Sequence, residues 1–169
     1  MDGIRLRLWR MVDEYVLRHL PRRIVQSFRV RICRWHGANI ADRVVLGPGI
    51  HLIGRSGLQI APGVSIARDV TLDARGGLTL GQDALIGFEC VLLTSTHNSP
   101  AVGIPVQTQG MYCAGVSVGA RSWLGARVIV LPGVSIGTDV IVGSGSVVTK
   151  DLASNSIYAG VPARKIRGR

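Results

Sequence analysis

Aromatic and cysteine residues are scarce in this 169-residue chain, and their scarcity argues against several classes of function. Phe, Trp and Tyr make up 5% of the residues, which leaves few rings for stacking on bases, and no nucleic-acid-binding motif is present. Cys33, Cys90 and Cys113 lack the spacing of a metal site, and their odd number argues against a disulfide framework. We therefore expect neither a nucleic-acid partner nor a bound metal.

Long apolar runs and acidic residues are also in short supply. No apolar run approaches the length of a membrane span, and Arg5, Arg7 and Arg10 interrupt the stretch where a signal peptide would have its hydrophobic segment. These features predict a cytoplasmic protein. Ten acidic residues oppose twenty Lys and Arg, giving a formal net charge of +10, and a surplus of this size calls for an anionic partner or surface.

A six-residue repeat dominates the chain from residue 40 onward and predicts its fold. Period six fits neither an α-helix nor an ordinary alternating strand, but it fits a triangular solenoid in which each side contributes a short strand and a turn. Three hexads form one coil, so fifteen hexads predict five coils. The aliphatic residues of the repeat, which we expect to point inward, are Ile40, Leu46, Leu52, Ile60, Ile66, Leu72, Leu80, Ile86, Leu92, Val118, Leu124, Val130, Ile136, Val142 and Val148.

Three irregular steps predict where the solenoid departs from its period. Two steps of eight residues indicate bulges at one corner, at Arg55-Ser56-Gly57 and at Arg75-Gly76-Gly77. The step from Leu92 to Val118 leaves room for a protruding loop over about residues 97–115. The sequence therefore predicts an all-β solenoid over residues 37–157, with a basic tail over residues 158–169.

Residues 1–36 precede the repeat and carry much of the basic surplus. Residues 1–35 contain nine arginines against three acidic residues. Two interpretations remain open: a helical cap over the open end of the solenoid, or an Arg-rich amphipathic segment in peripheral contact with anionic lipid at the inner membrane surface. Two apolar helical faces are predicted, one formed by Ile4, Leu8, Met11 and Tyr15 and the other by Ile24, Phe28, Ile32 and Trp35.

From Ile40 to Arg167 the chain resembles the hexapeptide-repeat acyltransferases, among them the maltose and galactoside O-acetyltransferases and those of capsule and exopolysaccharide synthesis. The resemblance rests on Trp123-Leu-Gly, Val147-Val-Thr-Lys-Asp and Gly160-Val-Pro-Ala-Arg at their spacings, with a histidine upstream at the edge of the loop. It implies a left-handed parallel β-helix and a homotrimer with three active sites between neighbouring prisms. It also implies acetyl-CoA as the acyl donor and a sugar, glycan or polysaccharide precursor as the acceptor.

The resemblance assigns catalytic roles to a few residues. His97 is the expected general base, because an acceptor hydroxyl becomes a good nucleophile only as its proton is removed. A backbone N–H in the turn after Trp123, at Gly125 or Ala126, is the expected oxyanion donor. The residues expected to bind coenzyme A are Trp123, Ser144, Thr149, Lys150, Gly160, Pro162, Arg164 and Arg167.

The acceptor side is less defined. Asp73, Glu89 and Asn98 are candidates for holding sugar hydroxyls or orienting the imidazole. A γ-type carbonic anhydrase would need three histidines at one zinc, and only His51 and His97 fall within the coils. The main prediction is O-acetyl transfer; N-acetyl transfer to an amino sugar and a noncatalytic β-helix subunit remain the alternatives.

Overall fold

The computed structural model describes residues 22–35 and 37–169, and it confirms the predicted solenoid. In this part of the chain one α-helix, α1 (Arg22–Trp35), precedes three sheets that form the sides of a triangular prism and whose strands are parallel except for the last one. Sheet A contains β1 (Asn39–Ile40), β4 (Leu58–Ile60), β7 (Leu78–Leu80), β12 (Val116–Val118) and β15 (Ser135–Ile136). Sheet B contains β2 (Val45–Leu46), β5 (Ser65–Ile66), β8 (Leu85–Ile86), β13 (Trp123–Leu124), β16 (Ile141–Val142), β18 (Ser156–Ala159) and β19 (Arg164–Gly168). Sheet C contains β3 (His51–Ile53), β6 (Thr71–Asp73), β9 (Val91–Leu92), β14 (Ile129–Val130) and β17 (Val147–Val148).

Each coil passes through sheets A, B and C in turn, and we name the corners A–B, B–C and C–A accordingly. The loop between β9 and β12 leaves at the C–A corner and carries an antiparallel hairpin of β10 (Ser95–His97) and β11 (Met111–Cys113). The predicted bulge at residues 55–57 forms a 3-10 turn at the same corner. The C–A corner is therefore the side of the prism from which the chain's irregular segments extend.

The hexad aliphatics form the core, as predicted. Fourteen of the fifteen are buried, and Leu52 is partly buried against the same core. Small residues near the corners also point inward: Ser122 and Ser146 are fully buried, and their hydroxyls donate to the carbonyls of Gly137 and Gly143 at 2.8 and 2.6 Å. The core is therefore a stack of aliphatic layers whose few polar groups are hydrogen-bonded.

The A–B and B–C corners share a left-handed backbone conformation. The third residue after the inward aliphatic has positive φ, and it is a charged or polar residue at eight corners. Arg127 Nε lies 2.8 Å from Glu89 Oε2 on the neighbouring coil, and Arg121 pairs with Asp139 in the same way. Solvent screens exposed ion pairs, so they contribute little to stability and do not exceed the cost of the left-handed conformation. The coil geometry, rather than the ion pairs, imposes this corner.

The solenoid has a partial sixth coil beyond the five that were predicted. Leu152 bridges to Ile136, and β18 then continues sheet B with Tyr158 buried in the core. The step from Val148 to Leu152 is four residues, so the six-residue period did not indicate this coil. β18 also spans the predicted boundary between residues 157 and 158, and β19 folds back antiparallel on it.

Helix α1 covers the open edge of the first coil with side-chain hydrogen bonds. In every later coil the carbonyls at the matching positions accept from N–H groups of the preceding coil, as Ile60 does from Ala41. The first coil has no preceding coil, and α1 supplies the donors instead. Arg34 Nε donates to the Ile40 carbonyl at 2.8 Å, and Gln26 and Arg29 reach the carbonyls of Val44 and Leu46 at 3.4 Å.

This arrangement favours the cap interpretation for residues 22–35, but the predicted apolar face does not pack on the coil. Val25 and Val30 are buried, whereas Phe28 and Trp35 are exposed. The polar donors must face the coil edge, and this requirement rotates the predicted face away from it. Residues 1–21, with the second predicted face, lie outside the described residues. Among the described residues, no helix has the length and hydropathy needed to cross a membrane.

The cap predicts that Arg34 stabilises the fold through the first-coil carbonyls. Arg34→Ala removes the donors to Ile40 and Ala41 and the contact with Asp42, so we expect the free energy of unfolding to fall by about 1–2 kcal/mol. Arg31, on the same helix, is exposed, and Arg31→Ala should change stability by less than about 0.5 kcal/mol. Urea denaturation at one chain concentration measures both; equal effects of the two substitutions would contradict the cap.

Candidate active site

His97 lies at the end of β10, on the hairpin that extends from the C–A corner. It is exposed, and it is the Cα partner of Met111 in β11. The Asn98 N–H donates to the Gly110 carbonyl at 3.1 Å and continues the hairpin beyond His97. The imidazole is thus presented on a short, hydrogen-bonded arm rather than packed into the core.

A buried polar cluster anchors the base of this arm. Asp73, at the end of β6, is fully buried and accepts a hydrogen bond from the Ser95 hydroxyl. Arg75 Nε and Nη2 donate to the two carboxylate oxygens of Asp73 at 3.0 and 3.2 Å. The Gly76 N–H donates to Thr94 Oγ1 at 2.8 Å. Coil 2 and the start of the hairpin are therefore joined side chain to side chain.

Electrostatics favour the ionised form of this cluster. Burial raises the pKa of the Asp73 carboxyl, but hydrogen bonds from Arg75 and Ser95 and the charge of Arg75 together lower the pKa below its ordinary value. The hydrogen bond with Asp73 in turn raises the pKa of the Arg75 guanidinium. The carboxylate is charged at neutral pH and already has partners, which favours an anchoring role for Asp73 over direct contact with an acceptor.

The turn after Trp123 distinguishes the two predicted oxyanion donors. The Gly125 N–H donates to the Val142 carbonyl at 2.8 Å as part of the coil stacking, so it is not available to a ligand. The Ala126 N–H lies outside that hydrogen-bond ladder at the B–C corner and donates to the exposed Ser144 hydroxyl oxygen at 3.1 Å, a bond that a ligand oxygen can replace. Ala126 is therefore the better candidate, with the Ser144 hydroxyl in direct contact.

Close stacking of coils 4 and 5 brings Ala126 and Ser144 together. A Cβ at Gly125 would lie 2.7 Å from the backbone nitrogen of Ser144, so only glycine allows this approach between coils 4 and 5. Buried Cys90 supports the turn from below, because its thiol donates to the Gly125 carbonyl at 3.0 Å. Burial raises the pKa of this thiol, so Cys90 stays protonated and acts as a donor.

The predicted coenzyme A residues occupy the upper coils. Thr149 and Lys150 are exposed at the C–A corner after β17, on the same corner as His97. Gly160 and Pro162 follow β18 above Ser144, and the Gly160 N–H donates to Ser146 Oγ at 3.1 Å. Trp123 projects outward from β13 with 47% of its surface exposed.

The basic residues at this end are not neutralised by acids. Lys150, Arg164, Lys165 and Arg167 are exposed, and none forms an ion pair among the described residues. Arg169 differs in forming an ion pair, because its Nη1 lies 3.6 Å from Asp139 Oδ1. An unneutralised group of cations is suited to binding phosphates.

The predicted site residues therefore fall on two separate corners of one chain. His97, Thr149 and Lys150 lie at the C–A corner, and Ala126 and Ser144 lie at the B–C corner, as does Glu89, which pairs with Arg127. One side of the prism, about five residues or roughly 15 Å of extended chain, separates the two corners. Within one chain the hairpin base stays at its own corner, so the structure does not bring His97 and Ala126 together.

Sequence reasoning missed Arg75, Thr94 and Ser95. The only local signal was the Asp73-x-Arg75 pair at the bulge, and the contacts to the hairpin join residues about twenty positions apart. Among the described residues no group of His, Cys, Asp and Glu side chains has the arrangement of a metal site.

Comparisons with known proteins agree with this geometry. Residues 115–150 match the family model described as bacterial transferase hexapeptide (six repeats). WcaF of Escherichia coli (strain K12), assigned as a colanic acid biosynthesis acetyltransferase, is 28% identical over 99% of this chain and 89% of its own length. WbbJ of Escherichia coli (strain K12), assigned as a lipopolysaccharide biosynthesis O-acetyl transferase, is 31% identical over 76% of this chain and 70% of its own length.

A solved structure extends the likeness to three dimensions. Galactoside acetyltransferase in complex with coenzyme A superposes with a TM-score of 0.77 at 27% identity, over 99% of this chain and 83% of that one. The family model matches the repeat itself, and WbbJ is 31% identical over 76% of this chain. The chain therefore belongs to the hexapeptide-repeat acyltransferase family.

Proposed function

We propose that this protein transfers an acetyl group from acetyl-CoA to a hydroxyl of a sugar, glycan or polysaccharide precursor. The observation that carries the proposal is the placement of His97 on an anchored arm at the same corner as the unneutralised Lys150. Relatives assigned to colanic acid and lipopolysaccharide synthesis, and a structural neighbour that binds coenzyme A, support the reaction class.

In the proposed reaction His97 takes the proton from the acceptor hydroxyl as its oxygen attacks the thioester carbonyl. The Ala126 N–H stabilises the oxyanion that forms, either directly or through Ser144, whose hydroxyl accepts from that N–H and can donate onward. The carbon–sulfur bond then breaks, and the proton held by His97 passes to the leaving thiolate of coenzyme A. No charge is left on the protein after the cycle.

A complete site on this scheme needs two copies of the chain, since His97 and Ala126 lie on different corners. We propose a homotrimer in which the C–A corner of one copy faces the B–C corner of the next. The outward residues of sheet A are polar, whereas those of sheet B are mostly apolar and favour contact with a neighbour. The sheet A set is Asn39, Gln59, Thr79, Ser117 and Ser135, and the sheet B set is Val45, Ser65, Leu85, Trp123, Ile141 and Ile157.

Substitution of His97 tests the chemistry. His97→Ala should lower kcat by about 10²–10⁴-fold, because the acceptor loses its base, while the Kd for acetyl-CoA stays within about three-fold, as a group that contacts only the acceptor should leave donor binding intact. His51, which is exposed on β3 of coil 1, provides the matched histidine control. His51→Ala should leave kcat and the Kd unchanged. Loss of acetyl-CoA thioester absorbance measures turnover, and calorimetry measures binding. Undiminished kcat in His97→Ala would remove His97 from the mechanism.

The basic end is tested by the phosphates of the donor. Lys150→Ala and Arg164→Ala should each raise the KM for acetyl-CoA by about ten-fold, the loss of one charge-assisted contact. Wild-type protein should bind acetyl-CoA more tightly than its 3′-dephospho analogue, and at least one of the two variants should lose that difference. Arg169→Ala, whose guanidinium contacts Asp139, serves as the control. If all three variants keep the wild-type KM, the basic end is solvated surface.

A further inference from the structure

The strongest unexplained feature is Arg75, a guanidinium held in place beside the hairpin that carries His97. We infer that Arg75 binds an anionic group of the acceptor, a carboxylate or a phosphate, so that the favoured acceptor is an acidic sugar. The inference rests on the proposed function, because it concerns the acceptor of that reaction.

Arg75 and His97 share one face of the hairpin. Ser95 and His97 point to the same side of β10, and their partners Cys113 and Met111 point to that side of β11. The Ser95 hydroxyl donates a hydrogen bond to Asp73, and Arg75 Nη1 lies 3.7 Å from Met111 Sδ. Since Met111 is the Cα partner of His97, the guanidinium lies next to the position where an acceptor must meet the imidazole.

The guanidinium is preorganised and has an edge available. The Nε–H and one Nη2–H of Arg75 donate to Asp73. Nη1 faces the Met111 sulfur, which is a weak acceptor. The Arg75 side chain remains 42% exposed, although the Asp73 carboxylate behind it is fully buried. A ligand anion can therefore approach Nη1 of Arg75 without breaking the Arg75–Asp73 pair, and little side-chain entropy is lost on binding.

The surrounding charges do not oppose an anion. Residues 93–115, which form the whole loop, contain no Asp or Glu. Arg55 lies in the turn at the same corner one coil below and forms no ion pair among the described residues. In coils 1 and 2 this corner carries Arg55, Arg75 and Asp73, which leave one positive charge, and the oxygens of Asp73 are already occupied.

A purely structural role for Arg75 makes a different prediction. If Arg75 only neutralises buried Asp73, its loss lowers stability and affects acidic and neutral acceptors alike. If it binds the acceptor, its loss also removes the preference for acidic acceptors, so the ratio of acidic to neutral kcat/KM falls. Selectivity, rather than activity, separates the two roles.

The test compares acceptors that differ in one charged group. Methyl glycosides of glucuronic and galacturonic acid are each assayed against the corresponding uronamide, which has the same shape and hydroxyls without the charge. Glucose 1-phosphate against methyl glucoside distinguishes a phosphate from a carboxylate. We expect wild-type kcat/KM to favour at least one anionic acceptor by ten-fold or more, and Arg75→Gln to reduce the ratio of anionic to neutral kcat/KM to within two-fold, whatever loss the two acceptors share through the weakened anchor.

Three further variants keep the test decisive. Arg75→Lys retains the charge and should retain part of the preference. The double variant Asp73→Asn/Arg75→Gln leaves no unpaired buried carboxylate and should lose the preference as the single variant does, with an unchanged KM for acetyl-CoA as evidence of folding. Arg43→Gln removes an exposed arginine at the A–B corner of coil 1 and should change nothing.

The contradicting outcomes are distinct from those of the proposed function. Equal kcat/KM for charged and neutral acceptors, or a preference that survives Arg75→Gln, overturns the role of Arg75. Where turnover of these sugars is undetectable, NMR titration gives their Kd values, and binding of the uronates that does not depend on Arg75 has the same meaning. Failure to bind acetyl-CoA and to acetylate any sugar would instead overturn the proposed function.

Discussion

The hydrogen bonds between successive coils are the constraint on which the rest of this structure depends. N–H groups of one coil donate to carbonyls of the next, as Ala41, Val45 and Gly47 do to residues of coil 2. Coils are thereby held about 4.8 Å apart and in register, so residues at the same place in their hexads form columns along the prism. The first coil lacks a preceding neighbour, and Arg34, Gln26 and Arg29 of α1 supply the missing donors.

The columns explain how residues far apart in the sequence come to form candidate sites. Ala126 and Ser144 are eighteen residues apart and meet because each occupies the B–C corner of its coil. Lys150 shares the C–A corner with the hairpin of His97, and the buried contacts of Asp73 with Ser95 and Arg75 fix that hairpin to coil 2. The solenoid thus provides rigid positions for Ala126, Ser144 and Lys150, while the loop of residues 93–115 carries the proposed base. The separation of the two corners within one chain is why the proposed catalytic unit is a pair of copies.

The sequence predicted whatever depends on the repeat. Leu72, Leu92 and Val130 are buried because a period of six returns each of them to the same side of the prism. The sixth coil was not predicted, because the step to Leu152 breaks the period and Tyr158 takes an aliphatic position. The predicted apolar face of α1 does not pack on the first coil: Phe28 and Trp35 are exposed, and the donors of Gln26, Arg29 and Arg34 face the open edge instead. The role of Arg75 was not predicted, because the Asp73-x-Arg75 pair is a weak local signal and its link to the hairpin runs through distant residues, Ser95 and Met111.

Complementation between two inactive variants tests the central claim, that each catalytic unit combines two corners from neighbouring copies. His97→Ala lacks the base, and Ser144→Trp fills the B–C corner. Each is inactive alone on this account. When the two variants are refolded together in equal amounts, random mixing makes three quarters of the trimers mixed. Each mixed trimer has one intact site of its three, so about a quarter of wild-type activity should return. Recovery of no activity, in samples shown to contain mixed trimers, would contradict a site shared between copies.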